Sequence, residues 1–227
     1  MSASPPLLWD GSPERARATV VLAHGAGAPM DSGFMNDVAA GLAAAGLAAA
    51  RFEFPYMHAR REGKRGGGPN PAPVLLDTWR QVIAAIDARG VSRRAIVIGG
   101  KSMGGRMASH LAAASDDLAR RISGLVLLGY PLHPPGKPAT PVRLNHLATL
   151  TTPTLIVQGA RDQFGTEDEV PGYALSRAVT VHWLADGDHS FKPRKKTSGR
   201  TEKENVEEAI ATVAAFIDDL IENPRGL

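Results

Sequence analysis

The sequence predicts an α/β protein with a doubly wound, mostly parallel sheet of at least six strands. Two observations carry this prediction: short apolar runs alternate with segments of helical periodicity, and glycine- or proline-containing turns separate them. The 227 residues fit one domain spanning 1–227, and 43% of them are hydrophobic, enough for a core. No insertion is long enough for a large cap domain.

The apolar runs place six strands, and we expect them to lie in the order second, first, third, fourth, fifth, sixth across the sheet. In chain order they are predicted at 19–24, 47–54, 95–99, 122–129, 154–158 and 179–184. Residues 7–10 can add an antiparallel strand. Helices are predicted at 34–45, 74–89 and 103–114, and a short helix is expected to end at 173–176. A last helix follows Thr201 and Glu204, which form a capping-box pair.

Three segments that follow strands look irregular: 55–73, 131–149 and 190–200. Loops of this kind lie at the carboxyl ends of parallel strands, where ligands bind. We therefore expect them to surround the functional site.

Composition narrows the chemistry. The chain has no cysteine, which excludes disulfides, a cysteine nucleophile and cysteine metal ligands. No run of about 18 apolar residues and no basic-apolar leader occurs, so we expect a cytoplasmic protein without a membrane partner. The formal net charge is +3 and the sequence pI is about 9.4, a weak indication of anionic partners.

The segment Gly100-Lys101-Ser102-Met103-Gly104 matches the pattern G-x-S-x-G. It follows the apolar run AIVIG and precedes an Ala-rich helix, which is the strand–turn–helix context that a nucleophile elbow requires. The same residues resemble the end of a phosphate-binding loop, G-x-x-x-x-G-K-S. In that register the first glycine would be Ala95, inside a strand, so we reject a nucleotide-binding site.

A serine needs an adjacent base, and after this type of elbow the acid and then the histidine follow along the chain. Asp162 follows the strand at 154–158, and His189 follows the strand at 179–184. Of the other histidines, only His133 is a possible substitute base. Asp186 and Asp188 compete for the acid role, but they lie too close to His189 in sequence to reach its far ring nitrogen easily. We predict Ser102, Asp162 and His189 as catalytic residues.

An oxyanion hole needs two backbone donors. The amide of Met103, the residue after the nucleophile, is the first. The second is expected in the loop after the first core strand, where Ala26 is favoured and Gly25 and Gly27 are alternatives. His24, at the strand end, is expected to be structural.

Several stretches together resemble a known family. They are LAHGAGAPMDSGFM at 22–35, RFEFPYM at 51–57, VIGGKSMGGRMAS at 97–109, LLGYPLHPPGKP at 127–138, QGARDQFG at 158–165 and DGDHSFKPRK at 186–195. The chain resembles the α/β-hydrolase-like family that includes testis-expressed hydrolase-like proteins and the hydrolase-like domain of an NSL-complex regulatory subunit. It is similar, more distantly, to dienelactone hydrolases. The resemblance implies the α/β-hydrolase fold and the assignment of Ser102, Asp162 and His189. Dienelactone hydrolases use a cysteine nucleophile, so their activity does not carry over.

The sequence thus predicts a serine hydrolase of the esterase or thioesterase type that needs no cofactor and no metal. A binding module that keeps the fold, and a peptidase or amidase with the same triad, remain alternatives. Lys and Arg are in excess in the three irregular segments, which favours an anionic small-molecule substrate over a nucleic acid because aromatic residues are not interleaved. Lys101 and Lys192 are the predicted substrate-binding residues. Solvated surface charge explains the excess equally well.

Overall fold

The computed structural model describes residues 5–64, 67–90, 95–114 and 116–223. Its centre is a seven-stranded sheet. The strands are β1 (Leu8–Asp10), β2 (Ala18–Ala23), β3 (Ala48–Phe52), β4 (Ala95–Lys101), β5 (Gly124–Leu128), β6 (Thr154–Gly159) and β7 (Val179–Leu184). The helices are α1 (Gly33–Ala44), α2 (Pro55–Arg61), α3 (Ala72–Ala88), α4 (Met103–Ala112), α5 (Pro141–Thr149), α6 (Lys195–Ser198) and α7 (Glu202–Glu222).

The strand order is β1-β3-β2-β4-β5-β6-β7, and only the edge pair β1–β3 is antiparallel among these pairings. This confirms both the predicted order of the six core strands and the additional antiparallel strand. Every residue of β2, β3, β5 and β6 is buried, as expected for a parallel sheet covered on both faces.

Two apolar cores lie on opposite faces of the sheet because successive strand residues point in opposite directions. On one face, α3 and α4 pack Trp79, Ile83 and Met107 against strand residues such as Ile98. On the other face, α1 and α7 pack their apolar stripes against Val97 and its neighbours on the sheet. The sheet is thereby held rigid, and its carboxyl edge can hold functional side chains in fixed positions.

The three segments expected to be irregular contain helices, so that prediction was wrong in part. α2 occupies 55–61, α5 occupies 141–149 and α6 occupies 195–198. Pro55 and Pro141 begin two of these helices at the first position, where proline needs no hydrogen-bonded N–H and its fixed φ suits a helix.

Other boundaries also differ. α3 begins at Ala72, two residues earlier than expected, with Pro73 in its first turn. Residues 173–176 do not end an α-helix; a short 3₁₀ turn at Val170–Gly172 precedes them. The capping box of α7 is confirmed: the Glu204 amide donates to Thr201 Oγ1, and the Thr201 amide donates to Glu204 Oε2.

Within the residues that the structure describes, none of the helices combines the length and apolar character needed to cross a membrane.

Candidate active site

Ser102 lies at the turn between β4 and α4 in a strained backbone conformation. Its φ is 50° and its ψ is −114°, a region that residues with a side chain adopt at a cost of about 1–3 kcal/mol. The turn is tight because β2 passes directly beneath it. A Cβ on Gly100 would lie 2.0 Å from the Ala23 carbonyl oxygen, and one on Gly104 would lie 2.5 Å from the same atom. Glycine is therefore required on both sides of the serine.

The structure brings Ser102, His189 and Asp162 together in one hydrogen-bonded chain. His189 Nε2 lies 3.0 Å from Ser102 Oγ, and His189 Nδ1 lies 2.8 Å from Asp162 Oδ2. The Asp162 side chain is fully buried, whereas 21% of the His189 side chain is exposed. The imidazole is thus held by a carboxylate on one side and is open to the cleft on the other.

Asp162 is fixed by donors on both oxygens. The Phe164 amide donates to Oδ1 at 2.9 Å, and the Gln158 side-chain amide donates to Oδ2 at 2.9 Å. Gln158 also receives a hydrogen bond from the Tyr130 amide at 2.7 Å, so it ties the end of β6 to the segment after β5. Sequence reasoning missed Gln158, because a glutamine at a strand end carries no motif.

Lys101 and Phe164 support the loop that carries His189. The Lys101 ammonium donates to the His189 main-chain carbonyl oxygen, and it lies 5.5 Å from the ring centroids of both Phe34 and Phe191. Burial lowers the pKa of Lys101 to about 8, although Asp162 and Asp188 favour its charged form. The Phe164 ring packs against the imidazole, with centroids 4.3 Å apart. Lys101 therefore supports His189 as well as lining the cleft.

The loop after β2 is shaped by two aromatic side chains. His24 is buried; its Nε2 accepts from the Phe54 amide at 3.1 Å, so Nδ1 carries the proton and donates to the Gly25 carbonyl at 2.7 Å. Burial lowers the pKa of His24, which favours this neutral form. The Tyr56 hydroxyl donates to the Ala26 carbonyl at 3.0 Å. These contacts turn the peptide carbonyls towards the protein interior.

The amides of Met103 and Ala26 were the predicted oxyanion donors. Met103 is the first residue of α4, where a helical amide has no partner in its own helix. Ala26 is exposed and lines the same cleft as Ser102. Among the described residues, neither amide donates to a backbone carbonyl in a turn or loop. The two amides therefore stay the predicted oxyanion donors.

A cleft of about 420 Å³ opens beside Ser102. It is formed by the loop after β2, the start of α1 and the loop that carries His189. The residues lining it are Gly25, Ala26, Gly27, Ala28, Ser32, Phe34, Met35, Lys101, Ser102, Phe164, His189 and Ser190. The walls are mainly apolar, which suits an acyl or alkyl group.

The other candidates for the catalytic acid and base contact other residues. Asp186 pairs with Arg194 and Arg161, and Asp188 accepts from the amides of Ser190 and Lys192. Both shape the loop around His189 without contacting its ring. His133 is buried against the Pro134 carbonyl and Glu169.

A second serine–histidine contact exists between Ser109 Oγ and His146 Nε2, 2.9 Å apart. Ser109 is fully buried in the middle of α4, and its hydroxyl contacts the Arg106 carbonyl and Tyr130. Burial and the stacked His110 ring lower the pKa of His146 to about 3. In the described part of the chain, no carboxylate contacts this histidine. A buried serine without a cleft is a packing feature.

The predicted substrate-binding lysines differ in position. Lys101 lines the cleft, but its ammonium is engaged by His189. Lys192 is exposed and is not among the lining residues, and its role stays a prediction. Of the basic residues in the three segments, Arg61, Lys64, Arg194 and Arg200 form ion pairs. Arg65 lies outside the described residues.

No metal site is evident in the ranges that the structure covers: no three or more His, Asp or Glu side chains there are grouped to hold a metal ion.

Several solved structures share this fold. Among solved structures, the chain is similar to Est1E from Butyrivibrio proteoclasticus, with 16% identity, a TM-score of 0.67 and coverage of 95% of this chain and 94% of that one. It is similar to a monoacylglycerol lipase from Paleococcus ferrophilus, with 15% identity, a TM-score of 0.65 and coverage of 93% and 99%. An alpha-beta serine hydrolase homologue from Coxiella burnetii has 17% identity, a TM-score of 0.63 and coverage of 96% and 90%.

At these identities the structural matches establish the fold. The narrower kinship with testis-expressed or NSL-complex proteins stays a prediction. The alpha/beta hydrolase domain family matches residues 16–218, which include β2 to β7 and all three residues of the Ser102–His189–Asp162 chain. The protein belongs to the alpha/beta hydrolase domain family.

Proposed function

We propose that this protein is a serine hydrolase that cleaves a carboxylic ester or thioester through an acyl-enzyme on Ser102. The observation that carries the proposal is the continuous hydrogen-bonded chain from Ser102 Oγ through His189 to the buried Asp162. A nucleophile, a base within hydrogen-bond reach and a group that orients the base are the arrangement that activates a serine hydroxyl.

In the proposed acylation, Ser102 Oγ forms a bond to the carbonyl carbon while its proton passes to His189 Nε2. The carbonyl electron pair moves onto oxygen, where the amides of Met103 and Ala26 stabilise it. Donors of this kind are worth about 10²–10³ in rate. The bond to the leaving alcohol or thiol then breaks, and that group takes the proton from His189. Asp162 stabilises the imidazolium that exists between the two transfers.

Deacylation repeats the same steps with water. A water molecule gives a proton to His189 Nε2 and attacks the acyl carbon. When the tetrahedral intermediate collapses, Ser102 Oγ leaves and takes the proton back. The products are the free acid and the original enzyme, so the cycle needs neither a cofactor nor a redox partner.

Two further observations favour ester or thioester substrates. The cleft beside Ser102 has mainly apolar walls and a volume of about 420 Å³, a size that suits a small molecule with a short acyl chain. The similar structures include an esterase and a monoacylglycerol lipase. A peptidase and a non-enzymatic binding module remain the competing functions.

A substrate panel tests the proposal. Purified protein is assayed with a p-nitrophenyl butyrate ester, a butyryl thioester and a butyryl p-nitroanilide, and the Ser102→Ala variant serves as the control. We expect ester and thioester hydrolysis that Ser102→Ala abolishes, since loss of the nucleophile costs on the order of 10⁶ in turnover in a comparable triad. Preference for the anilide would support an amidase. Absence of turnover with all three substrates would support a binding module.

We also propose that anionic substrates are favoured, because Lys and Arg are in excess around the cleft edge and the sequence pI is about 9.4. Added salt should then lower kcat/KM for a carboxylated ester steeply and change it little for a neutral ester of equal length. Equal salt dependence for the two esters would contradict this preference.

A further inference from the structure

Arg106 lies one helical turn after the nucleophile. Its amide donates to the Ser102 carbonyl at 2.9 Å, the first hydrogen bond of α4. Residues four apart on a helix share a face, so the Arg106 side chain lies on the side of α4 that begins with Ser102. The side chain is half-buried.

Arg143 approaches the same region from α5. Its Nη1 donates to the Pro131 carbonyl at 3.0 Å, and the Tyr130 hydroxyl donates to the Arg143 carbonyl at 3.4 Å. Pro131 is two residues beyond Gly129, where a Cβ would lie 3.4 Å from His189 Nδ1. The guanidinium of Arg143 is therefore held at the end of β5 that adjoins the base.

Neither arginine has a carboxylate partner. All aspartates and glutamates of the sequence lie within the described residues, and none of them forms an ion pair with Arg106 or Arg143 there. By contrast, Arg61 pairs with Glu53 and Asp31. Burial first, and then the charge of Arg143, lower the pKa of Arg106. An anion bound between two partly buried cations would offset their mutual repulsion.

We propose that Arg106 and Arg143 form a subsite for an anionic oxygen group of the substrate, either a carboxylate or a phosphate. The inference rests on the proposed function and places the anionic specificity on these two arginines rather than on the exposed lysines. Guanidinium groups suit this role because their planar donors match the geometry of both anions. Neither arginine lines the cleft beside Ser102. The anionic group would therefore extend from the reacting carbonyl at Ser102 beyond that cleft, towards α5.

Three p-nitrophenyl esters of matched chain length test the subsite. The glutarate monoester carries a carboxylate, the 4-phosphonobutyrate ester carries a phosphonate that stands for a phosphate, and the methyl-capped glutarate ester is neutral. We expect kcat/KM to be higher for at least one anionic ester than for the neutral one. The anionic ester with the larger preference identifies the group that binds.

Arg106→Gln and Arg143→Gln should each lower the ratio of anionic to neutral kcat/KM by about 10–100-fold, the loss of a hydrogen bond to a charged group. Arg106→Lys keeps the charge and should restore part of the ratio. Arg120→Gln, at an exposed arginine paired with Asp117, is the matched control and should keep the ratio. Circular dichroism and Tm show whether each variant is folded.

Binding to the Ser102→Ala variant provides a readout without turnover. Glutarate or inorganic phosphate should bind it by calorimetry, and Arg106→Gln in that background should weaken binding at least tenfold.

The proposal is overturned if the ratio and the binding are unchanged in folded Arg106→Gln and Arg143→Gln, or if Lys192→Gln alone removes the preference. Failure of the proposed function itself looks different, because no ester, the neutral one included, would then be hydrolysed.

Discussion

Lys101 donates a hydrogen bond from its ammonium group to the main-chain carbonyl of His189, so the residue that precedes the nucleophile holds the loop that carries the base. The two Phe rings beside the ammonium, Phe34 and Phe191, surround this contact with apolar surface. This partly buried hydrogen bond holds the His189 backbone without contacting the imidazole.

Replacing Lys101 should therefore impair turnover more than substrate binding. Lys101→Met removes the donor and keeps the volume, and we expect kcat to fall by about tenfold with little change in KM, since the net value of one such bond is about 1.5 kcal/mol. Lys101→Arg retains a donor and should recover part of kcat. A rise in KM with unchanged kcat would instead indicate direct substrate binding by Lys101.

Lys101 should also make the free energy of unfolding depend on pH under alkaline conditions. Its pKa is about 8 in the folded protein, compared with an ordinary value of 10.5. Below pH 8 the lysine is charged in both states, and the cost of burying the charge is fully present. Between about pH 8 and 10.5 only the unfolded state keeps the proton, so the folded state gains stability as pH rises.

Denaturant unfolding at a series of pH values measures this effect. The free energy of unfolding of the wild type should rise relative to that of Lys101→Met between about pH 8 and 10.5, and the difference should be constant below pH 8. A constant difference across the whole range would show that Lys101 does not titrate in that window.

We expect turnover to depend on Asp162 and much less on Asp186 or Asp188. In a comparable triad, replacing the orienting carboxylate by its amide lowers kcat by about 10⁴-fold because the imidazole adopts the wrong tautomer. Asp162→Asn should show a loss of that order. Asp188→Asn is the matched control: Asp188 accepts from the Ser190 and Lys192 amides and does not contact the ring, so its loss should be far smaller. The opposite ranking of the two variants would contradict the assignment.

The strained backbone at Ser102 should lower the free energy of unfolding, although the active site needs a serine at this position. At φ 50°, glycine has no Cβ to crowd the turn, whereas alanine retains the strain of serine. Ser102→Gly should therefore be more stable than Ser102→Ala by about 1 kcal/mol, although both variants are inactive. Denaturant midpoints measure the difference. Equal stability of the two variants would show that the strain relieved by glycine does not exceed glycine's greater loss of conformational entropy on folding.

Much of this fold could be predicted from the sequence because its signals are local. β2, β4 and β6 are short, largely apolar runs, and a right-handed parallel arrangement leaves few orders for them. Ser102 was identifiable because the elbow needs glycine at 100 and 104. Asp162 and His189 followed from their positions after strand ends.

The remainder depended on tertiary contacts that no local pattern encodes. α2 and α5 lie in segments that the sequence predicts to be irregular, and both segments form helices in the structure. Gln158 and Arg106 carry no motif: the first matters because it donates to Asp162, and the second because it has no acidic partner within the described chain. The sequence shows the charged residues around the cleft edge, but it does not show which of them form ion pairs.

Active-site labelling tests the central claim most directly. The wild-type protein and the Ser102→Ala variant are treated with a fluorophosphonate probe, and the modified residue is identified by peptide mass spectrometry. The account predicts one adduct on Ser102 in the wild type and none in the variant. An adduct on Ser109 or another serine, or equal labelling of the two proteins, would contradict it.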